Sequence, residues 1–191
     1  MTVQALDRFY YNNTCYTLID VEKNKQIIDS AVFDIPKHEV SISSSCWRGY
    51  TAKYWIANKK LYGQRYENDC SSRKRYESTK MYMNYTGSCI VARAIDEHAK
   101  WYISDFLECY LDYDEVLELH FHNGVLDEVR SLEKALEEYQ LLEQDQVYRS
   151  ENTKPTTRKI LRQKIACKYL KYEYGLRSYK WRGSGVDKCE E

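Results

Sequence analysis

The chain is poor in the residues that break secondary structure. It holds two prolines and seven glycines in 191 residues, which excludes Pro-rich spacers, Gly/Ser tethers and collagen-like repeats. It has no excess charge of either sign, with 29 basic and 29 acidic side chains, so its average predicts neither a nucleic-acid nor a membrane partner. No run approaches the ~18 apolar residues that span a bilayer. Met1–Tyr11 carries Asp7 and Arg8 and has no apolar stretch of the secretory kind, so a cytoplasmic location is expected. None of the seven cysteines (Cys15, Cys46, Cys70, Cys89, Cys109, Cys167, Cys189) stands at Cys-x-x-Cys spacing. Their odd number and scatter fit reduced thiols better than a disulfide scaffold, and the Asn-x-Thr triplets at Asn12 and Asn84 then read as chance matches. Phosphate-cradling Gly-rich loops, Gly-x-Ser-x-Gly elbows and His-Glu-x-x-His helices are also missing, so no cofactor is expected.

What is abundant is tyrosine, 19 residues of it, and its company is β-forming. Ser45–Tyr62 reads as an aromatic strand to Ile56, a turn at Ala57–Lys60 and a return strand. On such a strand Trp47, Thr51, Lys53 and Trp55 share one face, while Tyr50, Ala52, Tyr54 and Ile56 share the other. Core aromatics are the first expectation for Trp47 and Trp55; an exposed aromatic binding face that includes Tyr50 is the second. Upstream, Phe9–Tyr11 and Cys15–Ile19 flank an Asn12-Asn13 turn. The charged stretch 63–80 reads as a mobile surface loop. Met81–Ala94 reads as one strand with Tyr85, Gly87, Cys89 and Val91 on one face, and Trp101, Ile103 and Phe106 are expected to be buried.

The sharpest local signal lies at 116–129. Leu117, Leu119 and Phe121 alternate with Glu118, His120 and His122, and Asn123-Gly124 follows. Asn-Gly between alternating runs predicts a type I′ hairpin, because both turn residues need positive φ. A two-residue loop pairs Phe121 with Leu126 and sets Asp127 opposite His120. After Arg130 the apolar period becomes helical. Ser131 is the expected N-cap, and Leu132, Ala135, Leu136, Tyr139 and Leu142 form one stripe. Pro155 suits the start of a second helix, whose stripe is Leu161, Ile165, Tyr169, Tyr172 and Leu176, with Gly175 as its stop.

Three segments together resemble a family of small, uncharacterised bacterial proteins. These are Cys46-Trp47-Arg48-Gly49-Tyr50 with Trp55-Ile56 and Lys60-Leu61-Tyr62, then Tyr85-Thr86-Gly87-Ser88, then the acidic-apolar run Asp114–Gly124. The resemblance covers about Ser45–Leu126 and implies a β-rich fold. It brings no activity and no catalytic residues with it.

Candidate chemistry is sparse. His120 and His122 lie two apart on one strand face and could share a metal with Cys109 or Asp127. A solvent-exposed polar face of an antiparallel sheet is the first expectation, since it accounts for both histidines and Glu118 together. Cys46, Cys89 or Cys109 could act as a nucleophile with His38, His98 or His120 as base, or could simply be small core side chains. The clearest charge signal is C-terminal: eleven Lys and Arg stand against two Glu between Arg149 and Arg182. Tyrosines and Trp181 are interleaved, the mixture that favours phosphate backbone and unstacked bases. The acidic run Asp127–Asp145 can instead neutralise it within a helical hairpin.

The expected fold is therefore α+β: an antiparallel sheet or sandwich over 1–130, a helical hairpin over 131–182 and a frayed tail over 183–191. The expected function is non-enzymatic binding through protein–protein contact, in the manner of an intracellular immunity or antitoxin-like inhibitor. Association with nucleic acid through Arg158, Arg162, Lys164, Lys168 and Lys171 is the second reading. A metal- or cysteine-dependent enzyme is the third.

Overall fold

The computed structural model describes residues 6–23, 25, 27, 50–69, 74–94, 110–149 and 155–174. The strands are β1 (Arg8–Tyr11), β2 (Thr14–Val21), β3 (Tyr50–Ala57), β4 (Lys60–Asp69), β5 (Lys74–Glu77), β6 (Met81–Tyr82), β7 (Gly87–Arg93), β8 (Glu115–His122) and β9 (Val125–Ser131). A 3-10 turn spans Tyr110–Asp112, and helices α1 (Glu133–Arg149) and α2 (Pro155–Tyr169) follow β9. The fold is α+β. Its strands run in the order β3-β1-β2-β7-β8-β9-β4, and β4 pairs back onto β3. The sheet thus closes into a seven-stranded barrel instead of an open sheet or sandwich, and closure removes the free edges that either would leave.

Three tight hairpins set the register. Asn12-Asn13, Asn58-Lys59 and Asn123-Gly124 all have positive φ, the mirror-image turn geometry that matches strand twist. The last of them pairs Phe121 with Leu126 as expected. The pair β1–β3 is parallel, and the buried Asp7 ties it down: its carboxylate accepts the Ala52 amide at 2.9 Å.

Alternation fills the barrel. Phe9, Tyr16, Ala52, Tyr54, Leu61, Tyr85, Cys89, Val91, Leu117, Leu119 and Phe121 form one buried cluster. Strand β7 is buried on both faces, because Ile90 and Ala92 point outward into a second cluster with Val116, Leu132, Ala135, Leu136, Tyr139, Leu161 and Ile165. Each helix therefore lays one apolar stripe on the outside of the barrel. Ile19 joins that outer cluster, and the β-bulge between Leu18 and Asp20 returns Val21 to the interior.

Several expectations need correction. The stretch 63–80 is mostly strand: β4 runs on to Asp69, and β5 returns along it. Charge does not argue against a strand here, because ladder hydrogen bonds are made by the backbone. Met81–Ala94 is two strands, broken at 83–86 where Tyr85 turns inward and its hydroxyl donates to the Ser88 carbonyl at 2.7 Å. Helix α1 keeps the expected stripe up to Tyr139, but Leu142 is 37% exposed. Helix α2 ends at Tyr169, so Tyr172 is not helical. Cys15 and Cys89 are free thiols, whereas Cys167 is disulfide-bonded and departs from the expectation of reduced thiols. The expectations for Trp101, Ile103, Phe106, Gly175 and Leu176 fall outside the described residues.

Candidate binding surface

Barrel pleating sorts the central ribbon. Ala52 and Tyr54 are buried, so their alternating neighbours Thr51, Lys53 and Trp55 face outward. Trp55 is not core, contrary to the first expectation: it is half-buried on the outside of the barrel. Its place in the ladder explains this, since Tyr54 already fills the interior position against Phe9, with ring centroids 6.0 Å apart. Trp47 lies outside the described residues, and Tyr50 opens β3.

Register then builds a row that no single segment of sequence displays. Tyr10 pairs with Trp55, Trp55 with Tyr62, and Tyr62 with Tyr82. Four aromatic residues from β1, β3, β4 and β6 therefore lie side by side across the outer face. The Trp55 and Tyr62 rings are nearly parallel, 13° apart with centroids at 5.9 Å, and Tyr82 meets Tyr62 edge-on at 6.0 Å. The Lys80 ammonium sits 5.8 Å from the centre of the Trp55 ring, a cation–π contact. Tyr82 is 41% exposed, and its hydroxyl donates to the Asn123 carbonyl. Arg8 and Lys60, on the same face by alternation, are exposed at its margins.

The histidine face is different from the solvated surface expected of it. Glu118 is 1% exposed. Arg130 Nη1 donates to its Oε2 at 2.6 Å, and the Tyr174 hydroxyl donates to its Oε1 at 2.7 Å. Arg130 Nη2 reaches the Tyr169 carbonyl at 3.2 Å. Nearby, Glu22 accepts the Ser88 amide and hydroxyl at 3.0 and 3.1 Å. His120 stacks on Tyr172 with centroids 4.8 Å apart and planes 6° apart, while His122 is exposed at the hairpin tip. The cover is the segment after α2, which crosses β8 and bridges Glu22 through Tyr174. Burial pushes the Tyr174 hydroxyl well above its ordinary range, with the Glu118 carboxylate adding to it.

The expected partner of His120 is also corrected. A bulge makes Glu128 face His120, not Asp127. Among the described residues no group of three or more His, Cys, Asp or Glu side chains is placed to hold a metal ion. Cys89 is fully buried in the barrel, and that burial, with Glu118 adding to it, drives its thiol pKa up, the opposite of what a nucleophile needs. Cys46, Cys109, His38 and His98 lie outside the described residues.

The basic helix spends much of its charge inside the molecule. Arg162 bonds Asp112 at 2.7 Å and the Tyr139 hydroxyl at 3.2 Å. Lys168 and the Tyr169 hydroxyl both reach Glu138 at 2.5 Å, and beyond the helix Lys171 pairs with Glu128 at 2.6 Å. Lys168 and the Tyr169 hydroxyl hold Glu138 below the usual carboxylate range, and Lys171 does the same for Glu128. Lys164 is exposed, and Arg158 lies in the first turns of α2. No helix among the described residues is long and apolar enough to cross a membrane.

The aromatic row and the Glu118 network are the two features that reading the sequence missed. The row was hidden because its members come from four strands. The network was hidden because alternation sets a side chain's face, not what later covers it. Comparison with protein families, with curated proteins and with solved structures finds no match to this chain.

Proposed function

We propose that this chain is a non-enzymatic, intracellular binding protein that acts by protein–protein contact, and that its working surface is the outer face of β1, β3, β4 and β6. The observation that carries the reading is the outward-facing row Tyr10, Trp55, Tyr62 and Tyr82. Tryptophan and tyrosine dominate the residues on which protein interfaces depend, because each buries a large rigid area at small entropic cost. A folded domain that needed these rings only for stability would put them inside, as it does with Phe9, Tyr54 and Phe121. An immunity or antitoxin-like inhibitor is the concrete form of this function.

The nucleic-acid reading through α2 is the weaker one, because Arg162, Lys168 and Lys171 already hold carboxylates. The test is affinity capture from the native host with wild type, a Trp55→Ala/Tyr62→Ala variant and an Arg158→Ala/Lys164→Ala variant. The expected result is one stoichiometric protein partner retained by wild type and the helix variant and lost by the row variant. Retention of that partner by the row variant would place the working surface elsewhere.

A further inference from the structure

The row has a border of one sign. Among the described residues Arg8, Lys60 and Lys80 lie on or beside it. Among the described side chains of this face no carboxylate appears: β1 contributes Arg8 and Tyr10, β3 contributes Thr51, Lys53, Trp55 and Ala57, β4 contributes Lys60, Tyr62 and Gln64, and β6 contributes Tyr82. The chain as a whole is neutral, so this segregation is local and complements a negative partner.

The rings also say what kind of anion fits. A base-stacking platform presents open ring faces. Here Trp55 faces Tyr62 and is topped by Lys80, while Tyr62 is met by the edge of Tyr82. The facing sides of Trp55 and Tyr62 and the Lys80 side of Trp55 are engaged by neighbours, so this central pair is not an open stacking platform. Ring edges suit aliphatic and aromatic side chains, and compact ammonium groups suit carboxylates. We infer that this face docks an acidic polypeptide segment, in which carboxylates meet Arg8, Lys60 and Lys80 and intervening apolar side chains pack against Trp55, Tyr62 and Tyr82. The inference rests on the protein-contact reading above and names the chemistry of its partner.

The experiment uses the full chain and three fluorescent probes in parallel: a short peptide alternating glutamate with leucine and phenylalanine, the same peptide with glutamine for glutamate, and oligo-dT. The expected result is preferential binding of the acidic peptide, weakened by salt. Arg8→Ala/Lys60→Ala/Lys80→Ala should weaken it about tenfold, the combined effect of a few exposed charge pairs. Trp55→Ala should weaken it about thirtyfold, as loss of an anchor does. Arg8, Lys60 and Lys80 are exposed and Trp55 lies on the outside of the barrel, and unchanged circular dichroism checks that the fold is spared. Equal binding of the glutamine peptide, lost with Trp55→Ala, would overturn the acidic partner and leave the protein-contact reading standing. Tighter binding of oligo-dT at the same residues would overturn both. Acidic-peptide binding indifferent to Trp55→Ala, or no binding of the acidic peptide, would also overturn the inference.

Discussion

Replacing Tyr174 by phenylalanine removes one oxygen and tests how the C-terminal segment is held on the barrel. That hydroxyl donates to the Glu118 carboxylate at 2.7 Å, with both residues no more than 2% exposed. A hydrogen bond to a charged group contributes about 1.5–3 kcal/mol. Glu118 keeps its bond from Arg130 in the variant, so the loss belongs at the lower end, about 1.5–2 kcal/mol. For a chain of this size that lowers Tm by about 3–8 °C. Urea titration should show the midpoint falling with an unchanged slope. Arg130→Met should cost more, because it strips the Arg130 guanidinium from a buried carboxylate and leaves the charge with a neutral donor. A double-mutant cycle of Tyr174→Phe with Glu118→Gln should return a coupling of at least ~0.5 kcal/mol. Additive effects, or a Tyr174→Phe loss below ~0.5 kcal/mol, would refute the reasoning. The segment would then be held by Tyr172 on His120 and by packing, not by the buried hydroxyl.

Lys59 sits at φ 62 in the Asn58-Lys59 turn, a conformation glycine adopts without penalty. Lys59→Gly should therefore raise stability by about 0.5–1 kcal/mol in urea titration. Gly124→Ala should do the reverse, by about 1–3 kcal/mol, because its φ is 75 and an added Cβ would strike the Met83 carbonyl and the Tyr82 ring. At alkaline pH the fold holds Tyr16 protonated up to about 12, through burial and its bond to Glu115, and holds Tyr85 and Tyr174 above the ordinary tyrosine range. Raised folded-state values favour the proton-bound form, so this contribution is complete below about pH 10 and fades as pH rises through about 12. Tyrosinate absorbance should show these groups ionising only with unfolding, and early ionisation of Tyr16, seen by comparison with Tyr16→Phe, would contradict the assignment. In acid, Glu138 and Glu128 have depressed values, so their pairing is intact above the ordinary carboxylate range and is lost as pH falls through the folded values. The chemical shifts of the two carboxyl carbons across that titration check the direction.

The hairpins were legible because their signals are local. Asn123-Gly124 needs positive φ at both residues, and the alternation on either side of it has one period. The helices were legible for the same reason, through Pro155 and the stripe from Leu132 to Tyr139. Barrel closure was not, because it depends on β4 meeting β9 at Lys60 and Val125, a contact between segments about sixty residues apart in sequence. The two bulges were equally invisible, yet one of them moves the residue facing His120 from Asp127 to Glu128. Strand pattern also separated Tyr54 from Trp55 correctly but could not say which face was inside. That choice was made by Phe9 and the other strands that close around Tyr54.

Hydroxyl-radical footprinting of the partner complex tests the role of the outer aromatic surface most directly. Tyr10, Trp55, Tyr62 and Tyr82 should oxidise readily in the free protein and be shielded together in the complex, with Leu141 and Ile160 on the helices, 67% and 51% exposed, labelled equally in both states. Shielding of the helices with the row still oxidised would contradict it.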